Sequence, residues 1–138
     1  MLKYMLDTNI AIYVIKQRPV EALEQFNRHA QFLCISAVSQ AELIHGAEKS
    51  DHVEHNLKVL EDFCSRLSVM KYGKNAAMHY GHIRATLEKR GETIGVNDLH
   101  IAGHARSEGL TLITNNRREF DRIDGLLVDN WVLSLIHI

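Results

Sequence analysis

Three acidic side chains stand where a folded protein ordinarily places apolar ones. Asp7 follows an apolar run, Glu42 lies within an apolar helical segment, and Asp98 precedes the apolar stripe of a later helix. Carboxylates are rarely buried unless they are paired or bind a cation. We therefore expect these three acids, which are distant in sequence, to converge on one site that holds a hard divalent metal ion.

The chemistry of such a site follows from its charge. Carboxylates crowded into one pocket repel each other, and some become protonated unless a cation neutralises them. Mg²⁺ or Mn²⁺ suits oxygen ligands of this kind, and such an ion activates water and stabilises charge on a phosphodiester. The pattern predicts metal-assisted phosphodiester hydrolysis. Asp7 and Asp98 are then metal ligands, and Glu42 is a ligand or orients a water on the metal.

Each acid also has a purely structural interpretation. Asp7 fits a helix N-cap, and Asp98 fits the first turn of a helix, where the macrodipole favours negative charge. Glu42 fits an ion pair across a helix layer. A metal site is favoured only by the coincidence of all three.

Short apolar runs alternate with longer segments of helical spacing, and these elements must position the acids. The runs predict strands at 2–6, 33–36, 67–70, 110–114 and 126–128. The segments between them predict helices at 8–16, from Pro19, at 38–47, from Val53, and at 75–90, 97–107 and 117–120. This alternation predicts an α/β sandwich around a parallel sheet. Ligands gather at the carboxyl ends of such strands, where Asp7 and Asn116 fall on the same edge.

Composition and charge limit the class of protein. The length of 138 residues, with 46% hydrophobic and 24% charged residues, is typical of one globular domain. A formal net charge of −1 gives no overall positive field. A nucleic-acid partner would therefore bind through local clusters such as Arg117 and Arg118, which are also compatible with a solvated helix face.

The cysteines and histidines give only weak support for a zinc or redox protein. Cys34 and Cys64 lie far apart in apolar contexts and predict buried thiols of a cytoplasmic protein. Nine histidines include two pairs at helical spacing, His79 with His82 and His100 with His104, but no further zinc ligands at the required spacing. A zinc or redox protein is a third interpretation. We expect no membrane partner, because no apolar run reaches spanning length.

Four short motifs extend over nearly the whole chain in a fixed order. They are Met5-Leu6-Asp7-Thr8-Asn9, Ala41-Glu42-Leu43 followed by Gly46, Ile94-Gly95-Val96-Asn97-Asp98-Leu99-His100-Ile101-Ala102, and Thr114-Asn115-Asn116-Arg117-Arg118-Glu119-Phe120. Together they resemble the motifs of PIN-domain proteins, and most closely those of the VapC toxins of bacterial toxin–antitoxin pairs.

The resemblance implies a three-layer α/β/α PIN-like nuclease domain over residues 1–131, with a parallel sheet of about four to five strands. The apolar tail 132–138 is not assigned to any element of this domain. The resemblance also implies a Mg²⁺- or Mn²⁺-dependent endoribonuclease toxin that inhibits translation, with the anticodon stem-loop of initiator tRNA as the expected substrate. Its implied partners are a second copy of the chain and a VapB-type antitoxin in a larger complex.

The resemblance places the metal site on the three acids, with Thr8 as the hydroxyl that supports the first of them. At the fourth motif Asn116 stands where the family often has Asp, and Glu119 is the candidate for the missing carboxylate and a catalytic role. An amide adds no charge, so a second metal would be held more weakly. The alternative is therefore a catalytically weak PIN-fold module that binds RNA or protein. Arg84 and Arg117 are candidates for contact with substrate.

Overall fold

The computed structural model describes residues 1–132 and contains a five-stranded parallel sheet with helices on both faces. The strands are β1 (Tyr4–Leu6), β2 (Leu33–Ser36), β3 (Ser68–Met70), β4 (Thr111–Ile113) and β5 (Leu127–Asp129). The helices are α1 (Thr8–Lys16), α2 (Val20–His29), α3 (Ala37–Glu48), α4 (Val53–Ser65), α5 (Lys74–Arg90), α6 (Val96–Ser107) and α7 (Arg117–Phe120), with a short 3₁₀ turn at Ala30–Phe32. The predicted fold class is confirmed.

Successive strand residues point to opposite faces of the sheet, and each face carries its own core. Leu6, Ile35 and Ile113 lie in register and pack against α1, α2, α3 and α4. Their neighbours Met5, Cys34 and Leu112 pack against α5, α6 and α7. Because both faces are covered, the strands read as continuous apolar runs.

The strand order β3-β2-β1-β4-β5 places the first strand at the centre of the sheet. The chain runs outward from β1 through β2 to β3 and then returns to form β4 on the other side of β1. The boundary between β1 and β4 is therefore a switch point, where ligand clefts form at the carboxyl ends of strands. At this edge the backbone nitrogen of Asp7 donates a hydrogen bond of 2.9 Å to the carbonyl of Ile113.

Close packing of α5 against α6 holds the start of α6 in place. A Cβ atom at Gly103 would lie 2.8 Å from the backbone nitrogen of Tyr80, so glycine is required for the two helices to approach this closely. Gly91 ends α5 with a φ of 69°, which agrees with the helix predicted at 75–90. The first turn of α6, which carries Asp98, is thereby fixed at the edge of the sheet.

The remaining expectations about the fold have mixed outcomes. Cys34 is buried, Cys64 is half-buried, and both are free thiols. No helix among residues 1–132 is both long enough and apolar enough to span a membrane. Val132, the first residue of the apolar tail, is buried, whereas residues 133–138 lie outside the described residues. The division into a domain at 1–131 and a tail stays a prediction.

Candidate active site

A polar cavity of about 540 Å³ opens at the carboxyl edge of the sheet, beside β1 and β4. Its lining includes all three acids named from the sequence, together with Thr8, Asn97 and Asn116. These side chains come from the starts of α1 and α6, from the middle of α3 and from the segment after β4. The fold therefore brings together three carboxylates that are far apart in sequence.

Asp7 has both a structural role and an unusual charge state. As the N-cap of α1 it accepts a hydrogen bond of 2.9 Å from the Ile10 nitrogen, and it is only 4% exposed. Burial raises the pKa of its carboxyl group from 3.8 to about 6. The charges of Asp98 and Glu42 contribute to this rise, while the hydrogen bonds from Thr114 and Ile10 oppose it. Asp7 is thus an acid whose ionised form lacks solvent and faces other negative charge.

Glu42 is held from both sides by hydrogen-bond donors. The Thr8 hydroxyl donates to its Oε1 atom, and the Asn97 amide donates to its Oε2 atom at 3.1 Å. Thr8 Oγ1 also lies 3.1 Å from Ser39 Oγ, in a hydrogen bond between the two hydroxyl groups. This arrangement fixes the orientation of the Glu42 carboxylate. Thr8 was expected to support Asp7, whereas its hydroxyl donates to Glu42 instead.

Two of these supporting residues were missed by reasoning from the sequence. Ser39 precedes Glu42 by three residues on α3, so helical spacing places the two on the same face and was a usable signal. Asn97 precedes Asp98 in the third motif, but nothing in the sequence indicates that its side chain points toward α3. Its contact with Glu42 depends on the packing of α6 beside α3.

Asp98 lies in the first turn of α6 and is half-buried. It precedes the apolar stripe of this helix, as the sequence indicated, since the buried side chains begin at Leu99 and continue through Ile101 and Ala102. The first turn extends beyond the edge of the sheet, so the carboxylate lies in the cavity instead of the core. Burial, followed by the charges of Glu42 and Glu119, raises the pKa of Asp98.

The fourth motif contributes an amide to the cavity and a carboxylate near it. Asn116 lines the cavity, and its backbone nitrogen donates to Thr114 Oγ1 at 2.9 Å. Glu119 is half-buried and does not line the cavity, although its charge acts on Asp98. Glu119 therefore contributes negative field from outside the cavity, and its assignment as a catalytic residue stays a prediction.

The two arginines proposed to contact substrate lie apart from the acids. Arg84 donates to the hydroxyl of Tyr80 at 2.6 Å and pairs with Glu88 at 3.4 Å. Arg117 pairs with Asp121 at 3.3 Å on the exposed side of α7. Neither arginine lines the acidic cavity. Their contact with RNA stays a prediction.

The histidine pairs face partners that do not suit zinc. The Arg106 guanidinium donates to Nδ1 of His79 at 2.9 Å and lies 3.0 Å from Nδ1 of His82. His104 is buried, with Nδ1 at 2.8 Å from the hydroxyl of Ser36. Within residues 1–132, no group of three His, Cys, Asp or Glu side chains is arranged so that it could hold a metal ion. The zinc interpretation therefore lacks structural support.

The same finding limits the kind of cation that the acidic cavity could accept. An ion bound here would take one or two carboxylates from the folded chain and complete its shell with water or with phosphate oxygens. Mg²⁺ is commonly held in this way. The available donors are carboxylate, hydroxyl and amide oxygens, and burial together with neighbouring negative charge raises the pKa of both Asp7 and Asp98. The donor set fits a hard divalent cation.

Comparison with known proteins identifies the family. Residues 4–126 match the model of the PIN domain. The ribonuclease VapC2 of Haemophilus influenzae is 57% identical over 132 residues, which are 96% of this chain and 100% of that protein. The chain belongs to the VapC family of PIN-domain ribonucleases.

Other VapC proteins match over a similar length. The tRNA(fMet)-specific endonuclease VapC of Shigella flexneri is 52% identical over 131 residues, covering 95% of this chain and 99% of that protein. The crystal structure of DNA-bound VapBC from Salmonella typhimurium superposes with a TM-score of 0.91 at 50% identity, over 95% of this chain and 99% of that chain. The resemblance drawn from four motifs is confirmed. VapC nucleases are generally metal-dependent, which agrees with the acidic cavity.

Proposed function

We propose that this VapC-family chain is the toxin of a toxin–antitoxin pair and an endoribonuclease that hydrolyses RNA with Mg²⁺ or Mn²⁺. The observation that carries the proposal is the convergence of Asp7, Glu42 and Asp98 on one cavity at the switch point of the sheet. Burial and neighbouring negative charge raise the pKa of two of these acids, as is typical of functional sites.

The side chains that line the cavity would have different roles in the reaction. Asp7 and Asp98 would hold the divalent ion, and their positions are fixed by the N-cap of α1 and the first turn of α6. Glu42, oriented by Thr8 and Asn97, would position the attacking water. When bound, the cation lowers the pKa of water and neutralises charge on the phosphodiester. Asn116 can donate a hydrogen bond to a phosphate oxygen or offer its carbonyl oxygen to the ion.

The proposed substrate is initiator tRNA, cut in the anticodon stem-loop. The Shigella flexneri and Salmonella typhimurium relatives carry the name tRNA(fMet)-specific endonuclease and are 52% and 50% identical to this chain. The proposed partner is a VapB-type antitoxin, since the matching solved structures are VapBC assemblies. We further propose that the chain forms a homodimer, joins a larger complex with the antitoxin, and acts in the cytoplasm, where its substrate lies.

The test is a cleavage assay with purified protein on initiator tRNA, with elongator methionine tRNA as the competing substrate. We expect one cut in initiator tRNA with Mg²⁺ or Mn²⁺ and none in EDTA. Asp98→Asn should lower the rate by about 100-fold or more, because several kcal/mol of charge stabilisation are lost. Asp51→Asn is the matched control, since Asp51 is exposed and lies outside the cavity lining.

Two outcomes would contradict parts of the proposal. Metal-dependent cleavage of another RNA in preference to initiator tRNA would refute the substrate but retain the nuclease. Tight binding of tRNA without cleavage under any metal condition would favour the alternative function, a catalytically weak RNA-binding module. The uncharged Asn116 in the cavity is the feature that favours this alternative.

A further inference from the structure

We propose that a second cavity beside the acids binds a nucleobase of the RNA, on a nucleotide that flanks the scissile phosphate. We call this cavity the base pocket; it has a volume of about 480 Å³, within the range of small-ligand sites. One wall is the apolar surface of α3 at Ala37, Val38 and Ala41, and the opposite side carries Tyr72 and His100. The proposal rests on the nuclease function proposed above.

The base pocket is continuous with the acidic cavity. Glu42, His45 and Asn97 line both of them. The hydrogen bond from the Asn97 amide to Glu42 Oε2 spans α6 and α3 and forms the shared wall. A phosphate placed at the acids therefore brings an adjoining nucleotide to the mouth of the base pocket. The reaction itself therefore places a nucleotide next to the scissile phosphate beside this pocket.

The aromatic side of the pocket is held rigid by its own contacts. The His100 ring stacks on Tyr80, with centroids 3.9 Å apart and an angle of 4° between the planes. Tyr72 meets His100 edge-on at 5.2 Å, and its hydroxyl lies 2.7 Å from His100 Nδ1. Arg84 donates to the Tyr80 hydroxyl at 2.6 Å and so secures the second ring. A fixed aromatic platform loses little entropy when a base stacks on it.

The His100 ring also offers a polar atom to a nucleobase. Nδ1 is engaged by Tyr72, and Nε2 has no hydrogen-bond partner among residues 1–132. Nε2 is therefore the atom available to contact a polar edge of the base. Apolar walls with a few polar groups and stacked rings are typical of sites that bind unpaired RNA bases.

The experiment removes the base from the RNA and alters the base pocket of the protein, first separately and then in combination. The cut site is first mapped on end-labelled RNA, and RNAs are made that are abasic at the nucleotide on either side of it. For wild type, we expect base removal at one of these positions to lower kcat/KM by about tenfold, since the stacking of that base on the aromatic rings is lost. His100→Ala should lower kcat/KM on intact RNA by a similar factor and should be insensitive to base removal at that position.

A second variant fills the pocket without disturbing the core. Ala41 is exposed on the pocket wall, so Ala41→Phe should lower kcat/KM on intact RNA but cleave the abasic RNA at the wild-type rate. His55→Ala is the matched control, because His55 is an exposed histidine on α4 outside both cavities. It should behave as wild type on every RNA. Thermal unfolding of each variant verifies that it is folded.

Three results would overturn the proposal. The first is that base removal has no effect on kcat/KM in wild type, or lowers it by the same factor in wild type and in both pocket variants. The second is an Ala41→Phe protein that cleaves RNA normally but self-associates or binds antitoxin more weakly in gel filtration, which would make the cavity a protein-binding surface. The third is a wild type that cleaves no RNA, in which case the proposed function fails as well.

Discussion

Replacing Asp7 with asparagine should stabilise the fold while abolishing catalysis. The carboxylate is 4% exposed and faces the negative charges of Asp98 and Glu42, so its ionised form is costly in the metal-free protein. Asparagine retains an oxygen that can accept the hydrogen bond from the Ile10 nitrogen and preserve the cap of α1. The substitution therefore removes charge and largely preserves local structure.

The size and sign of the effect follow from the pKa of Asp7. Its rise from 3.8 to about 6 corresponds to about 3 kcal/mol, since one pKa unit is about 1.4 kcal/mol. The folded state binds the proton more tightly than the unfolded chain. The stability that proton binding by Asp7 adds to the folded state is therefore fully present below pH 3.8 and is lost as the pH rises to about 6. At neutral pH in EDTA, Asp7→Asn should raise the free energy of unfolding by up to about 3 kcal/mol.

The assay is urea unfolding of wild type and Asp7→Asn in EDTA across the acid and neutral range. The advantage of the variant should shrink to near zero below about pH 4. Added Mg²⁺ should stabilise wild type more than the variant, because binding to the folded state adds to its stability. Asp51→Asn, at an exposed aspartate, should show neither effect. A variant less stable than wild type at neutral pH, or an advantage independent of pH, would refute the reasoning.

Three further predictions concern other parts of the fold. Thr8→Val removes the donor that orients Glu42 and should lower kcat about tenfold. It should also lower the melting temperature by several degrees, since a hydrogen bond to a charged group contributes about 1.5–3 kcal/mol; cleavage kinetics and thermal unfolding check it. Gly103→Ala should cost about 1–3 kcal/mol through steric overlap with α5, whereas Gly81→Ala, with open space around it, should not destabilise the protein; urea unfolding compares the two. Arg117→Gln should reduce the slope of log affinity against log salt by about 1 in RNA binding if this exposed arginine contacts phosphate, and an unchanged slope would exclude it.

The fold was largely predictable because both faces of the sheet are covered. Continuous apolar runs mark such strands, and the run at 110–114 became β4 at Thr111–Ile113. The ends shifted because pairing with neighbouring strands decides where a strand begins. The last strand was expected at 126–128 and lies at Leu127–Asp129, where it is in register with β4. That register depends on a partner strand that a local pattern does not contain.

The candidate site was predictable to the extent that it depends on strand ends and helix starts. Asp7 and Asp98 occupy such positions, so topology alone brought them to one edge. The contact of Asn97 with Glu42 depends on the packing of α6 against α3, which periodicity does not specify. The orientation of Arg84 also depends on packing, and its contact with substrate stays a prediction. Its helical spacing is regular, but its side chain turns toward Tyr80 and Glu88 instead of the acids.

The charge balance at the acidic cavity limits the number of cations that the cavity could hold. The N-termini of α1 and α6 each contribute about half a positive charge, so three ionised acids leave about two negative charges. Counted formally, the positive charge of Lys49 in the lining equals the negative charge that Glu119 adds from outside it. One divalent ion then balances the free site, and the amide of Asn116 adds no charge to hold another. We infer that a second ion would require the negative charge of the RNA phosphate itself.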